Sequence, residues 1–568
     1  DSDGDTYGDI SSTTQTCDLP SGYVSDDTDC DDGAAAVNPA ATEVCDSIDN
    51  DCDTLIDDDD GSLDASTGTT WYADSDGDTY GDISSTTQTC DLPSGYVSDD
   101  DDCDDGDATQ YPGADEYCNS EDDDCDGTTD EDAVDGSDFY IDDDEDGFGD
   151  PTVTEWACDG ITNNYDCNDT DSAEPVMVDI STGSASGAGT IDDPLDAIQD
   201  GIDSANECVV VAGGTYSEAI DFSGKDLEVT GVDGPDNTII DASGLGTPVV
   251  TFASGEQGWL EGFTLLSGDG YLESTSSSYA CTSITTCTDY YDTYAGGGIY
   301  IDGADPTVVN VIIEANYLPT ASTTVSGNDT YYVNSFGGGI YISSGTLIAD
   351  GLAILENEAD QGGGVYLDPS SVLTMDASWV IGNGAEDGGG VEVDGGDAQL
   401  TNVASIWNMA DSDGGGILLI DAALEATNVM WGGDDATTGG GLYATGTSSA
   451  TVMNSIITES GSAEGVLVGG SASFSGSYNN VYNNAGGDYS GISDPTGSSG
   501  NLSTSVGFSA WSDDGTYTNE NISLTTSSAM IGAGNPSSTY DNADGTTNDI
   551  GALGGPSSDW DDGVPGLN

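Results

Sequence analysis

GGGVYLDPSSVLTMDASWVIGNGAEDGGGVEVDGGDAQLTNVASIWNMADSDGGG, residues 362–416, holds two successive copies of one structural unit. A triple glycine opens at Gly362, Gly388 and Gly414, and each is followed by a short β-prone run, VYL, VEV or ILL. Working outward, the same triplet stands at Gly296, Gly337 and Gly439, and from Gly337 onward it returns every 25 or 26 residues. That period is too short for the two packed helices of a helical solenoid, whereas short strands between glycine turns suit one coil of a parallel β-helix. Polar residues keep the same beat. Asn310, Asp350, Asp376, Asn402, Asn428 and Asn454 form one expected column, and Asn316, Asn357, Asn383 and Asn408 another. Stacked amides can satisfy backbone groups from coil to coil, so these columns read as ladders rather than ligand sites. Upstream, DDPLDAIQDGID predicts an amphipathic helix over 193–205 that covers the open end of the stack. Two tyrosine-rich insertions, 268–295 and 317–336, each precede a glycine triplet. They should lie side by side as one lobe carrying Tyr279, Tyr290, Tyr291, Tyr294, Tyr317, Tyr331 and Tyr332, either as a contact surface or packed within itself.

Composition narrows the partners. The 568 residues include 110 acidic side chains against one basic residue, Lys225, and no histidine, for a formal charge of −109. Nucleic acid and anionic membrane surfaces both need basic clusters, so neither is a partner. Cations are. Apolar residues concentrate after position 176, and the region before it is too polar for an ordinary core. No apolar run approaches the roughly 18–20 residues of a membrane span. The chain opens at Asp1 without Met or signal peptide, which reads as mature or trimmed material.

Residues 74–100 repeat residues 1–27 without a change, so a 73-residue unit is duplicated. The expected organisation is 1–73, 74–138, a truncated third unit at 139–175, and the β-helix over 176–568. The first unit would begin inside a motif, lacking the counterpart of Trp71, Tyr72 and Ala73. Within each unit acids alternate with period two, the spacing by which an EF-hand-like loop wraps a hard cation. The candidate ligands are Asp1, Asp3, Asp5, Tyr7 and Asp9, then Asp74, Asp76, Asp78, Tyr80 and Asp82, then Asp142, Asp144, Asp146, Phe148 and Asp150, the aromatic in each set through its carbonyl. Further loops are read at Asp49, Asp51, Asp53 and Asp57, at Asp105, Asp107 and Glu116, and at Asp122, Asp124, Asp126 and Asp130. No glutamate stands at position twelve of the leading loops, so a helix–loop–helix is not implied. Carboxylates without histidine or methionine select calcium over copper or zinc.

Thirteen cysteines, mostly in short-spaced pairs, point to an oxidising, secreted or cell-surface setting. Equal separations in the two copies favour local disulfides: Cys17–Cys30, Cys45–Cys52, Cys90–Cys103 and Cys118–Cys125, with Cys158–Cys167 and Cys281–Cys287. Cys208, in the apolar run CVVV, would remain a buried free thiol.

Over about 1–175 the motifs WYADSDGDTYGD, SGYVSDDTDCDDG, NPAATEVC and DNDCD resemble the MopE-type metal-binding repeat of bacterial surface proteins, and the loops are also similar to thrombospondin type 3 calcium repeats. The family name implies copper, while these residues offer only hard oxygen ligands. Over about 176–555, DPLDAIQDGID, GTYSEAIDFSGKDLEVTG and the closing SSAMIGAGNPSSTYDNADGTTNDIGALGG resemble secreted bacterial right-handed β-helix proteins of the pectate-lyase-like superfamily. That resemblance, with the rule for parallel crossovers, supplies the handedness.

The fold class expected is therefore mostly β: a right-handed parallel β-helix preceded by disulfide-rich, loop-dominated calcium-binding repeats. The function expected is a non-enzymatic extracellular structural protein, part of a filament, appendage or adhesive matrix. Its partners would be calcium, copies of itself head to tail, and surface glycans. A polysaccharide-active β-helix enzyme lacks its cationic base here, and a metal scavenger lacks soft ligands.

Overall fold

In the computed structural model the chain forms two compact units, Asp1–Asn164 and Tyr165–Asn568. The structure describes residues 1–143, 148–150, 153–166, 174–282, 285–326, 329–511 and 521–556, with the side chains of 278–287 excepted.

The second unit is a parallel β-helix. Each coil contributes three strands, as Val365–Leu367, Ser371–Asp376 and Trp379–Ile381 do in one coil and Val391–Asp394, Asp397–Thr401 and Ala404–Ile406 in the next. Like strands pair in parallel from coil to coil, with Val365 opposite Val391, Met375 opposite Leu400 and Val380 opposite Ser405. One stack is a separate ten-stranded sheet. The other two join into a twenty-stranded sheet because the strand Ile340–Asp350 runs through both. The triple glycines are sterically required. Gly388 has φ of +63°, and a Cβ on Gly390 would lie 2.5 Å from the Gly416 carbonyl oxygen of the next coil.

Inside the coils runs one continuous core of Val, Ile and Leu. The ten-stranded sheet is also covered on its outer side, where Trp379, Ile381, Ile406, Met430 and Ile456 pack with Val506, Ile522, Met530 and Ile550. Burial on both faces explains why its strands read as unbroken apolar runs such as AIL and WVI.

The second polar column is a hydrogen-bonded ladder. Asn316, Asn357 and Asn383 each donate from Nδ2 to Oδ1 of the next asparagine, at 2.9, 3.0 and 3.0 Å, and Asn408 donates to Asp434 at 2.9 Å. All five residues are buried. Loss of solvation holds the Asp434 carboxyl well above the carboxylate range, which suits a neutral group continuing an amide column. The first column needs correction. Asp350 pairs with Asp376 and then with Thr401, one place ahead of the corner where Asn310, Asn402, Asn428 and Asn454 adopt positive φ. The last three do not stack on one another. Asn402 donates to the Ala552 and Gly554 carbonyls (2.7 and 2.5 Å), Asn428 to Asn548 Oδ1 (3.0 Å), and Asn454 accepts from the Asn535 N–H (2.8 Å), so this column fastens the C-terminal segment to the coils.

The helix is shorter than expected, Ile198–Ser204, because Ala197 is extended at φ −136°. Its ends are capped by side chains. Glu218 accepts from the Ile198 and Gln199 N–H groups at 2.8 and 3.0 Å, and Lys225 donates to the carbonyls of Ile202, Asp203 and Ala205 at 2.7, 2.7 and 3.1 Å. The two insertions do lie side by side. Thr285–Ala295 pairs in parallel with Asp329–Phe336, and the rings of Tyr290 and Tyr331 stack at 4.7 Å and those of Tyr291 and Tyr332 at 5.0 Å. Cys281, Cys287 and Tyr279 carry side chains outside the described residues.

Asn383→Ala would remove two donated and two accepted hydrogen bonds from a site without solvent. Denaturant unfolding of the β-helix should lose about 3 kcal/mol. A change below about 0.5 kcal/mol, the level of an ordinary surface substitution, would show that the ladder is not structural.

Candidate metal centres

The first unit has little regular structure, and the described loops are built largely by aspartates accepting hydrogen bonds from backbone N–H groups within a few residues. Asp1 Oδ1 accepts from Gly4 N at 2.7 Å, Asp3 Oδ1 from Asp5 N at 3.3 Å and Asp5 Oδ1 from Tyr7 N at 2.8 Å. Asp74, Asp76 and Asp78 repeat this at 2.7, 3.2 and 2.8 Å. One oxygen of each carboxylate is thereby fixed, and in Asp3, Asp5, Asp76 and Asp78 the other is turned inward.

The carboxylates gather. Asp1, Asp3 and Asp5, Asp74, Asp76 and Asp78, Asp49, Asp51 and Asp53, and Glu43, Asp51 and Asp60 form sets in which one oxygen of each residue lies within 4.8 Å of the others. Asp3 Oδ2, Asp5 Oδ2 and Asp29 Oδ2 are buried without a hydrogen-bond partner, and so are Asp76 Oδ2, Asp78 Oδ2 and Asp102 Oδ2 in the second copy. Asp51 Oδ1 and Asp60 Oδ2 share that condition. Burial raises the carboxyls of Asp29, Asp76 and Asp102, and neighbouring aspartates add to the shift in each case. Buried oxygens with no donor, placed alike in both copies, fit a bound cation, and an all-carboxylate set fits a hard one.

The other expected ligands carry hydrogen bonds of their own. Asp9 and Asp82 accept from Ser11 and Ser84, whose hydroxyls hold both carboxyls below their ordinary range. Tyr7 and Tyr80 donate their N–H groups into the loops, and the Tyr80 ring stacks on Tyr111 at 5.6 Å. Asp105, Asp107 and Glu116 are not brought together as one loop. Asp105 accepts from Ser75 N and Oγ at 2.7 Å each, Asp107 caps Thr109, and Glu116 accepts from Asp124 N and Asp130 N at 2.7 and 3.1 Å. Asp57 and Asp130 each accept two N–H bonds from the chain ten or eleven residues earlier. Asp49 accepts from Asp53 and Thr54, while Asp122 accepts from Asp126 and Gly127, and Asp124 and Asp126 take the following turns. In the third unit Asp142, Phe148 and Asp150 are described, with Phe148 buried, and Asp144 and Asp146 lie outside the described residues.

Asp29, Asp102, Glu43 and Asp60 were not anticipated. The first two directly precede Cys30 and Cys103, and the Asp29 N–H reaches the Gly8 carbonyl at 3.2 Å to close the loop from far downstream. A cysteine-adjacent aspartate repeated in both copies was the available signal.

The disulfides differ from the local pairing. Cys30 bonds Cys52 and Cys103 bonds Cys125, while Cys45 bonds Cys90 and Cys118 bonds Cys158. Cys17–Cys30, Cys45–Cys52, Cys90–Cys103, Cys118–Cys125 and Cys158–Cys167 are therefore not formed, and Cys17 is an exposed free thiol. Cys208 is disulfide-bonded rather than free. The physical reason is the strand Thr69–Ala73, which pairs antiparallel with Asp82–Thr89 and carries the chain of the first repeat against Cys90 of the second repeat.

Both copies match one family model. It is described as a putative metal-binding motif, Cu-binding_MopE, and it covers residues 29–58 and 102–131. Each match begins on an aspartate with an orphaned buried oxygen, Asp29 or Asp102, and spans the loop Asp49–Asp57 or Asp122–Asp130. No curated protein gives a significant match to the chain.

A different acidic cluster lies on the β-helix. Glu392 continues the outward column Tyr300, Tyr341 and Tyr366, whose rings stack at 5.7 and 5.8 Å. It is 1% exposed, and its Oε2 has no hydrogen-bond partner. Burial pushes its carboxyl up to about 8, with Asp387, Asp394 and Asp413 adding to the shift.

Two predictions follow from these geometries. Asp102→Asn should remove one site from the cation stoichiometry measured by titration calorimetry, whereas Asp107→Asn should leave it unchanged. Because folding raises the Glu392 pKa, its proton stabilises the native state fully below about pH 4.3, and that contribution is lost as pH rises toward 8. Glu392→Gln should therefore flatten the decline of β-helix stability by about 1 kcal/mol per pH unit within that window. Parallel pH profiles for the two proteins would count against it.

Proposed function

We propose that this chain is a secreted or cell-surface structural protein whose N-terminal repeats are rigidified by calcium and whose β-helix serves as a subunit of an extracellular filament or adhesive matrix. The observation that carries the reading is the pair of matching clusters, Asp3, Asp5 and Asp29 and Asp76, Asp78 and Asp102, with their orphaned buried oxygens. Hard oxygen donors without imidazole favour calcium over the copper of the family name. Four inter-loop disulfides in a unit so poor in apolar core fit an oxidising exterior. The role is non-catalytic: uronate chemistry needs a free cationic group, and Lys225 is committed to capping the helix.

A second reading, glycan attachment, is favoured by one cleft of about 720 Å³ lined by Trp407, Met409, Asp435, Glu459 and Asn483. Trp407 stacks on Trp511 at 5.5 Å, and Trp511 Nε1 donates to Glu459 at 2.6 Å, so a flat apolar surface stands beside hydrogen-bonding groups. Polysaccharide binding lost in Trp407→Ala would favour it.

Chelation tests the main reading. Unfolding should show two transitions, with the first unit melting on calcium removal and the β-helix transition in place, because binding energy there is folding energy. One transition that ignores chelator would contradict it. Light scattering at saturating calcium should show assembly strengthening as sodium chloride is raised toward 1 M, since the Debye length falls from about 8 Å at physiological strength to about 3 Å. Assembly that strengthens as salt is withdrawn would mean that attractive ion pairs hold the subunits.

A further inference from the structure

The cleft at Trp407 continues past Met409. A second cleft, of about 400 Å³, is lined by Thr320, Ala321, Glu358, Ala385, Glu386 and Asp411, and the Met409 side chain lines both. Their shared floor is one row of the β-helix. Glu358 bridges Gly384, Gly384 pairs with Met409, and Met409 bridges Asp435, all in parallel. Gly461 N, donating to the Asp434 carbonyl at 3.4 Å, and Ala485 N, donating to the Ser460 carbonyl at 3.1 Å, carry the row onward. At about 4.8 Å from coil to coil, the stretch from Glu358 to Ala485 is a groove of roughly 24 Å.

Side chains lie along this floor because glycine follows them in the next coil. Trp407 turns the corner after its strand with φ of +58°, a left-handed conformation that glycine fills one coil before and one coil after, at Gly382 and Gly433. A Cβ on Gly433 would lie 2.7 Å from the Trp407 ring, and one on Gly461 would lie 2.6 Å from the Asp435 carboxyl group. Met409 is 62% exposed on the same floor.

The lining mixes two kinds of group. Trp407, Met409, Ala385 and Ala485 present apolar surface, while Glu386, Asp411 and Asp435 present oxygens that accept hydrogen bonds. No basic side chain lines either cleft, and Lys225 is engaged at the helix. A sugar offers apolar C–H faces and hydroxyl donors together, which this lining complements, whereas a uronate would bring its charge against carboxylates. A basic polymer is drawn to all of a surface this acidic, so charge gives it no reason to choose the groove.

We infer that the two clefts are one binding groove for an uncharged linear polysaccharide, which runs along the coils past Met409 with its hydroxyls donating to Glu386, Asp411 and Asp435. The inference rests on the glycan reading of the Trp407 cleft. It adds a second subsite, a chain several sugars long, and the exclusion of acidic sugars.

The test uses the full chain at saturating calcium, titrated calorimetrically with neutral glucan, mannan and galactan oligosaccharides of two and of six residues, and with hexagalacturonate as the acidic chain. In at least one neutral series the hexasaccharide should bind at least tenfold tighter than both the disaccharide and hexagalacturonate. Glu386→Ala combined with Asp411→Ala should lower hexasaccharide affinity at least tenfold, and Glu425→Ala, at an exposed strand position outside the groove, should leave it unchanged. An unshifted β-helix unfolding transition confirms that each variant is folded. Absence of binding in every series would overturn the glycan reading and the groove together. Binding that Trp407→Ala abolishes, but with equal affinity for the two chain lengths or for hexagalacturonate, would leave that reading standing and overturn the groove.

Discussion

Each carboxylate in this chain must be accommodated almost without help from basic side chains, because Lys225 is the sole Lys or Arg against 110 acids. Three solutions appear. Exposed aspartates such as Asp9, Asp64 and Asp107 accept a serine or threonine hydroxyl and a backbone N–H two residues on, so turns are built from the acids themselves. Acids buried in the β-helix, Asp434 and Glu392, are pushed toward the protonated form by loss of solvation. In the third group, headed by Asp3, Asp5 and Asp29, one oxygen of each carboxylate is buried without a donor and calls for a cation.

The two units solve the stability problem by different means. In the β-helix, each coil buries its strands on the next, and one sheet is buried on both faces under the segment that Asn402, Asn428 and Asn454 hold down. In the repeats, covalent links take the place of a core. Cys30–Cys52 and Cys103–Cys125 tie the two halves of a repeat, and Cys45–Cys90 and Cys118–Cys158 tie one repeat to the next. Closing loops of this size contributes on the order of 3 kcal/mol each, a large share of the stability of a small domain.

Much of the β-helix was legible in its sequence, since the glycine triplets and the Asn316–Asn408 column are fixed by contacts between equivalent positions one coil apart. The other column was misread by one residue because Asp350 and Asp376 share its period while sitting on the strand rather than at the corner. In the repeats, period-two aspartates revealed the loops, since Asx-type turns are local. Asp29 and Asp102 escaped because they close a loop begun more than twenty residues earlier. The cysteine pairing escaped for a related reason. Equal separations such as Cys17 to Cys30 and Cys90 to Cys103 record the duplication of the unit, whereas pairing was decided by the strand Thr69–Ala73 crossing from one repeat to the next.

The inward-turned carboxylates of the repeats are sites for a cation. A crystal structure of the protein grown in calcium measures this directly. The prediction is a cation at each of the two matching clusters, about 2.3–2.6 Å from oxygens of Asp3, Asp5 and Asp29 in one and of Asp76, Asp78 and Asp102 in the other. Clusters occupied only by water, with those aspartates hydrogen-bonded to one another, would contradict it.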